Sequence, residues 1–260
     1  MQANHEQMHH DFVLPERERI LGVPVDVIDM ETTLAGIVAA VEDHREGARA
    51  WNAPHLIVTL NPEMVIRAQN DDAFRGILER ASVVIPDGIG VVNALQKRGH
   101  PESVRVTGAD LVTAYLPIAA LHEHRVAFVG AGPGIAGRAA KRARELVPGL
   151  LIVAADSGHP TQETAERLAK CSPEVVFAAY GAGKQEEFLD RFLPLMDAPV
   201  GVGIGGTFDY LAGVVHRAPQ VVQRIGGEWA WRLLLQPWRI TRQRVLPEFY
   251  LRERLERRVS

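Results

Sequence analysis

Residues 125–156, RVAFVGAGPGIAGRAAKRARELVPGLLIVAAD, decide the fold. An apolar run, 125–130, stops at the glycine-rich turn Gly130-Ala131-Gly132-Pro133-Gly134. Helical spacing follows over 134–147, and a second apolar run occupies 151–154. Runs that are apolar on both faces and separated by a helix read as parallel strands covered on both sides. The alternation repeats outward, with strands expected at 23–28, 55–60, 82–86, 174–180 and 199–204. Helical segments are expected at 31–45, 62–80, 88–98, 108–122, 161–171 and 184–196. The fold class is therefore α/β: a Rossmann-like parallel sheet in two lobes covered by helices, with a helical C-terminal appendage. The expected organisation is a flexible arm over 1–14, a catalytic domain over 15–206 with a lobe boundary near 99–105, and a basic appendage over 207–260. Pro219, Pro237 and Pro247 are expected to interrupt the appendage helices.

Composition removes several classes. The 260 residues are 47% hydrophobic and 23% charged with a net charge of −3, unlike a wholly disordered chain. A single cysteine, Cys171, excludes an intramolecular disulfide framework and a multi-cysteine zinc module, and fits a reducing compartment. No apolar run reaches the ~18 residues of a membrane span, and the first residues read as neither a secretory signal nor a metal site, His5, His9 and His10 being tail histidines. The charge is uneven. From Arg217 onward ten arginines face four glutamates, a net of +6, so the preceding 216 residues carry −9. Three of the four tryptophans, Trp229, Trp231 and Trp238, share this tail. A basic, Trp-rich tail on an acidic body suits an anionic partner, although a solvated amphipathic helix pair has the same composition. The acidic body speaks against nucleic acid as that partner.

In such sheets ligands bind beyond the carboxyl ends of the strands. Four strand ends carry suitable residues. Thr59 and Asn61 close the first, where Asn61 also suits a helix cap before Pro62. Asp87 closes the second, as a cap or as a general base with a raised pKa. Gly130, Gly132 and Gly134 open a helix and can face a phosphate, but Ile135 breaks the dinucleotide fingerprint and weakens an NAD(P)-dependent oxidoreductase reading, for which Asp156 would be the acidic partner. The fourth end pairs Gly181-Ala182-Gly183-Lys184-Gln185 with Gly205, Gly206 and Asp209, where a backbone can approach a ligand and Asp209 can take a ribose or cap a helix. There is no D-x-D triplet to hold a metal–diphosphate pair, so no metal and no cofactor are expected, and arginines and helix ends must meet a diphosphate.

The stretches TLNPEM (59–64), IPDGIGVV (85–92), RVTGADL (105–111), GAGKQE (181–186), GIGGTFDYLAG (203–213) and RAPQVVQRIGGEWAWRLLLQPWR (217–239) resemble the bacterial WecG/TagA/CpsF glycosyltransferases in order and spacing. The resemblance implies an inverting enzyme that moves a sugar, N-acetylmannosamine first, from a UDP donor to a sugar on polyprenyl diphosphate for teichoic acid or another surface polysaccharide. UDP-glucose and UDP-N-acetylmannosaminuronic acid are the alternative donors; a non-catalytic nucleotide-sugar binding module is the alternative of another class. It implies Asp87 as the base and Thr59, Asn61, Arg105 and Gln185 as active-site polar groups. It also implies Asp209 and the adjoining glycines at the nucleotide, and Arg232, Arg239 and Arg242 closing over the diphosphate. The expected location is the inner face of the cytoplasmic membrane, held peripherally on anionic lipid, with a homo-oligomer left open. Two departures stand out: the family usually has proline where this chain has Gly183, and the Arg/Glu-rich stretch 244–260 does not align with it.

Overall fold

A computed structural model of the chain describes residues 15–47, 53–219, 221–222, 227–237, 240 and 244–259. The expectations for the arm 1–14 and for Arg239 and Arg242 fall outside these residues, as does the side chain of Arg232.

A two-stranded antiparallel hairpin, β1 (Arg17–Ile20) and β2 (Val23–Asp26), precedes the sheet. Six strands form the sheet itself: β3 (His55–Leu60), β4 (Val83–Pro86), β5 (Val126–Gly130), β6 (Ile152–Asp156), β7 (Val175–Ala179) and β8 (Val200–Gly203). They are all parallel, in the order β4-β3-β8-β7-β5-β6. The halves on either side of 99–105 meet where β3 pairs with β8. The helices are α1 (Met30–Arg45), α2 (Pro62–Ala68), α3 (Asp72–Arg80), α4 (Ile89–Lys97), α5 (Gly108–Leu121), α6 (Ile135–Leu146), α7 (Gln162–Ala169), α8 (Lys184–Met196), α9 (Thr207–Leu211), α10 (Glu228–Leu235) and α11 (Val245–Val259).

The period of two along each strand divides the core. Val58, Ala127, Val129, Val176 and Ala178 face the layer of α2, α3, α7, α8 and the hairpin. Ile57, Val126, Phe128, Phe177 and Val202 face the layer of α1, α5 and α6. Both layers are buried, which is why the strands read as continuous apolar runs rather than alternating ones.

Three local features differ from the sequence reading. The hairpin puts 23–26 outside the main sheet, and β1 escapes periodicity because Arg17, Glu18 and Arg19 are charged. Its two-residue turn needs positive φ at Leu21 (52°) and Gly22 (74°). The expected helix 62–80 is two helices, because the Asp71 side chain accepts from the Phe74 amide and starts α3 afresh. Pro247 does not interrupt the tail: it sits in the first turn of α11, where a missing N–H costs little.

Helix α11 returns to the body. Phe249 is fully buried in the core beside α2, Arg98 binds Glu253 at 2.8 Å and also Glu256, and the Leu21 amide donates to Glu256 at 3.0 Å. Glu253 is 3% exposed, so this is an interior ion pair rather than a surface one. Replacing Phe249 by alanine is expected to cost about 3 kcal/mol of stability, read by urea denaturation, because a buried aromatic leaves a cavity at the helix seat.

Candidate active site

The carboxyl ends of β3, β4, β7 and β8 open into a cavity of about 430 Å³, a size suited to a small organic ligand. It is lined by Thr59, Asn61, Asp87, Arg105, Gln185, Gly205, Gly206 and Asp209. The sequence reading singled out each of them. Gly130, Gly132 and Gly134 are not among the lining residues. The strand order explains this, since β5 lies beyond β7, and the cavity-lining ring of Tyr180 stands against Gly130. Asp156, on the edge strand β6, is held by Arg167 at 2.8 Å and the Gly158 amide at 2.6 Å.

Several of these side chains build the walls. Thr59 donates to the Gly203 carbonyl at 2.7 Å, tying the ends of β3 and β8 together. Asn61 caps α2 by accepting from the Met64 amide at 3.2 Å. Gln185, 2% exposed, accepts from the Gly205 amide at 3.0 Å and so fixes the glycine turn after β8.

Beside it Glu186 is completely buried. It accepts from the Gly183 amide at 2.6 Å and from Gln185 at 2.8 Å. Burial pushes its carboxyl up to about 7, against those two hydrogen bonds. A Cβ on Gly203 would stand 2.5 Å from this carboxylate, so the turn and the acid require each other. Sequence reasoning missed Glu186, whose only signal is the two glycine turns that close over it.

Gly183 has φ +91°, which proline, locked near −65°, cannot adopt. An added Cβ would fall 1.6 Å from Arg67 Nη1, in space Arg67 fills while binding Asp71 at 2.8 Å and Glu187 at 2.5 Å. Gly183→Pro also removes the N–H that Glu186 receives. The variant is expected to lose at least about 2 kcal/mol in urea denaturation.

Asp87 follows β4 directly, and its amide and that of Gly88 both donate to the Leu60 carbonyl at 3.0 Å. A Cβ on Gly88 would be 2.5 Å from Pro62, so the turn keeps its glycine. One quarter of the Asp87 side chain meets the cavity, while Oδ1 is closed to water and receives no hydrogen bond from a described residue. Burial raises its carboxyl to about 6; Arg105 and Arg217 pull it down, while Glu228 and Asp110 push it up. A carboxylate with that affinity is suited to take a proton near neutral pH.

Arg105 donates to the Asp87 main-chain carbonyl at 2.5 Å and to Glu228 at 3.1 Å. Its Nη2 is 3.6 Å from Asp87 Oδ1, beyond a hydrogen bond. Glu228, on α10, also takes Arg217 at 2.9 Å, and Arg217 grips Asp110 at 2.5 and 2.9 Å. Neither Glu228 nor Arg217 was singled out by the sequence, where each is one charge among many in the tail.

Among the described lining side chains the carboxylates of Glu63, Asp87, Asp209 and Glu228 outnumber the single guanidinium of Arg105. Two clusters elsewhere bring three metal-ligating groups within reach of one another, Glu42–His122–His124 and Glu16–Glu18–His100, and neither lines this cavity.

A cavity over the carboxyl ends of parallel strands, lined by glycine turns and carboxylates, is the ligand site of an open α/β sheet. The chain matches the model of the glycosyl transferase WecG/TagA/CpsF family over residues 18–260. It is 33% identical over 233 residues to a protein of Bacillus spizizenii, covering 87% of this chain and 88% of that protein. It is 31% identical over 198 residues to one of Bacillus subtilis, covering 75% and 77%. Both are named N-acetylglucosaminyldiphosphoundecaprenol N-acetyl-β-D-mannosaminyltransferase. The chain belongs to the WecG/TagA/CpsF family of glycosyltransferases.

Proposed function

We propose that the protein transfers N-acetylmannosamine from UDP-N-acetylmannosamine, with inversion, to N-acetylglucosamine carried on polyprenyl diphosphate. The observation that carries this reading is the Asp87 carboxylate at the cavity, its Oδ1 receiving no hydrogen bond from a described residue and its carboxyl raised to about 6, in a chain that resembles two enzymes named for that transfer over most of its length. The acceptor hydroxyl attacks the anomeric carbon as its proton passes to Asp87. The bond from that carbon to the diphosphate oxygen breaks, and UDP leaves with the electron pair. Inversion of an α-linked donor yields a β product, in keeping with the relatives' printed names.

In this reading Arg105, the amides of the Gly205-Gly206 turn and Asp209, all of which line the cavity, hold the donor, and Thr59, Asn61 and Gln185 keep the wall in shape. Arg232, Arg239 and Arg242 remain the tail cations proposed to offset the diphosphate charge. The carboxylate excess among the lining residues makes that supply of positive charge necessary. With no D-x-D triplet in the sequence, turnover is expected to be unchanged in EDTA. A strict Mg²⁺ requirement in a UDP-release assay would contradict this.

The same reading places the protein peripherally on the inner face of the cytoplasmic membrane. No helix among the described residues is long and apolar enough to cross a bilayer. Leu234, Ile240, Leu251 and Leu255 of the appendage are exposed at 78, 49, 61 and 52%, beside a strong excess of arginine. Exposed leucine and isoleucine with arginine suit an interfacial seat on anionic lipid.

A further inference from the structure

We propose that Glu228 is a positioning residue for Asp87: it engages the Arg105 guanidinium that would otherwise close on the Asp87 carboxylate, so that the base stays unclamped only when the appendage is docked. This rests on the reading of Asp87 as the base, and it assigns to the appendage a role in setting that base.

The geometry is specific. Arg105 has three donor positions near this site, and each points to a different place. Nε is given to the main-chain carbonyl of Asp87 at 2.5 Å, and Nη1 to Glu228 Oε2 at 3.1 Å. Nη2 is left 3.6 Å from Asp87 Oδ1. A guanidinium beside a carboxylate ordinarily closes into a bidentate pair, which holds the carboxyl low and makes it a poor base. Here Glu228 takes the arm of Arg105 that such a pair would need.

Glu228 is itself fixed, its side chain 9% exposed and its other oxygen on Arg217 Nε at 2.9 Å. Arg217 in turn is anchored on Asp110 in the first turn of α5, and Thr107 donates to Asp110 at 2.7 Å. The result is an alternating chain, Asp87, Arg105, Glu228, Arg217, Asp110, in which each cation is flanked by two anions. The charged groups facing Asp87 come from three elements: Arg105 and Asp110 around the start of α5, Glu228 on α10, and Arg217 ahead of it. Glu63, Asp209 and Tyr250 line the same cavity. Among the described residues, removing Glu228 leaves Asp87 as the carboxylate within 4 Å of Arg105.

The experiment compares the full chain with its Glu228→Gln and Glu228→Asp variants, labelled with ¹³C-aspartate, the Asp87 signal assigned through Asp87→Asn. The Asp87 midpoint is expected near 6 in the parent chain. It should fall by about one pH unit in Glu228→Gln as the arginine turns to it, and by less in Glu228→Asp, which keeps the charge on a shorter arm. The acidic limb of kcat should move down with it. A midpoint that stays in place in both variants overturns the proposal, as does a fall in kcat that follows only the loss of thermal stability. If Glu228→Gln fails to fold, the midpoint in Glu228→Asp decides alone. The NMR midpoint does not depend on Asp87 being the base. Normal turnover in Asp87→Ala would sink that parent reading, whereas an inactive Asp87→Ala with an unmoved midpoint would sink only the role of Glu228.

Discussion

Asp87→Ala is expected to lower kcat by roughly 10²–10⁴-fold while UDP still binds, because that is what a positioned general base contributes and no described group nearby replaces it. Among the described lining groups the other carboxylates are otherwise engaged or sit on other elements: Glu228 is held between two arginines, Glu63 lies in the first turn of α2, and Asp209 in α9. UDP affinity, read by calorimetry, should change little, since the proposed mechanism sets Asp87 against the reacting hydroxyl rather than the nucleotide. The parent chain should lose activity as pH falls through about 6, where its raised carboxyl takes up a proton and can no longer accept one. The same raised value makes the ionised form costly in the folded state. Asp87→Asn is therefore expected to melt higher than the parent above pH 6 and to show no such difference below the ordinary aspartate range. Near-normal turnover in Asp87→Ala would remove Asp87 from the mechanism.

Deleting 217–260 is expected to abolish measurable transfer and to cost binding to anionic vesicles. The deletion takes away more than tail charge. It strips Glu228 from Arg105, Arg217 from Asp110 and Phe249 from the core beside α2, where Gly90 meets Phe249 and Tyr250 closely. It also removes the +6 segment with its exposed leucines. Activity would be read by UDP release and membrane binding by sedimentation with anionic liposomes, with neutral liposomes as the reference. A truncated chain that still sediments like the parent would refute the membrane role of the tail and leave its effect on Asp87 standing.

Much of this was legible in the sequence because the chemistry is local. The strands of the sheet are runs of four to six residues, buried on both faces except at the edge strand β6, and a residue next to a strand end lies by construction at the rim of the sheet. Asp87, Thr59 and Asn61 could be picked out on that ground alone, whereas Gln185 came from the family resemblance. The glycines at 130–134 satisfied the same rule, yet they are not among the residues lining the cavity. The rule cannot tell which strand ends adjoin, and the order β4-β3-β8-β7-β5-β6 centres the cavity elsewhere. Glu228 was invisible for a related reason: its partner Arg105 is 123 residues away, and no spacing rule joins a helix glutamate to it. Glu186 was missed because its burial comes from Gly203, on another strand, leaving no room for a side chain. The seat of the tail helix α11 was not legible, since the burial of a single phenylalanine and an interior pairing with Arg98 leave most of its surface polar.

The most direct test is UDP release from a panel of UDP-sugars, with and without N-acetylglucosamine on a polyprenyl-diphosphate analogue. UDP-N-acetylmannosamine should release UDP only when the acceptor is present, and the new linkage should be β. UDP that binds but is never released on adding the acceptor, with every sugar of the panel, would contradict the account.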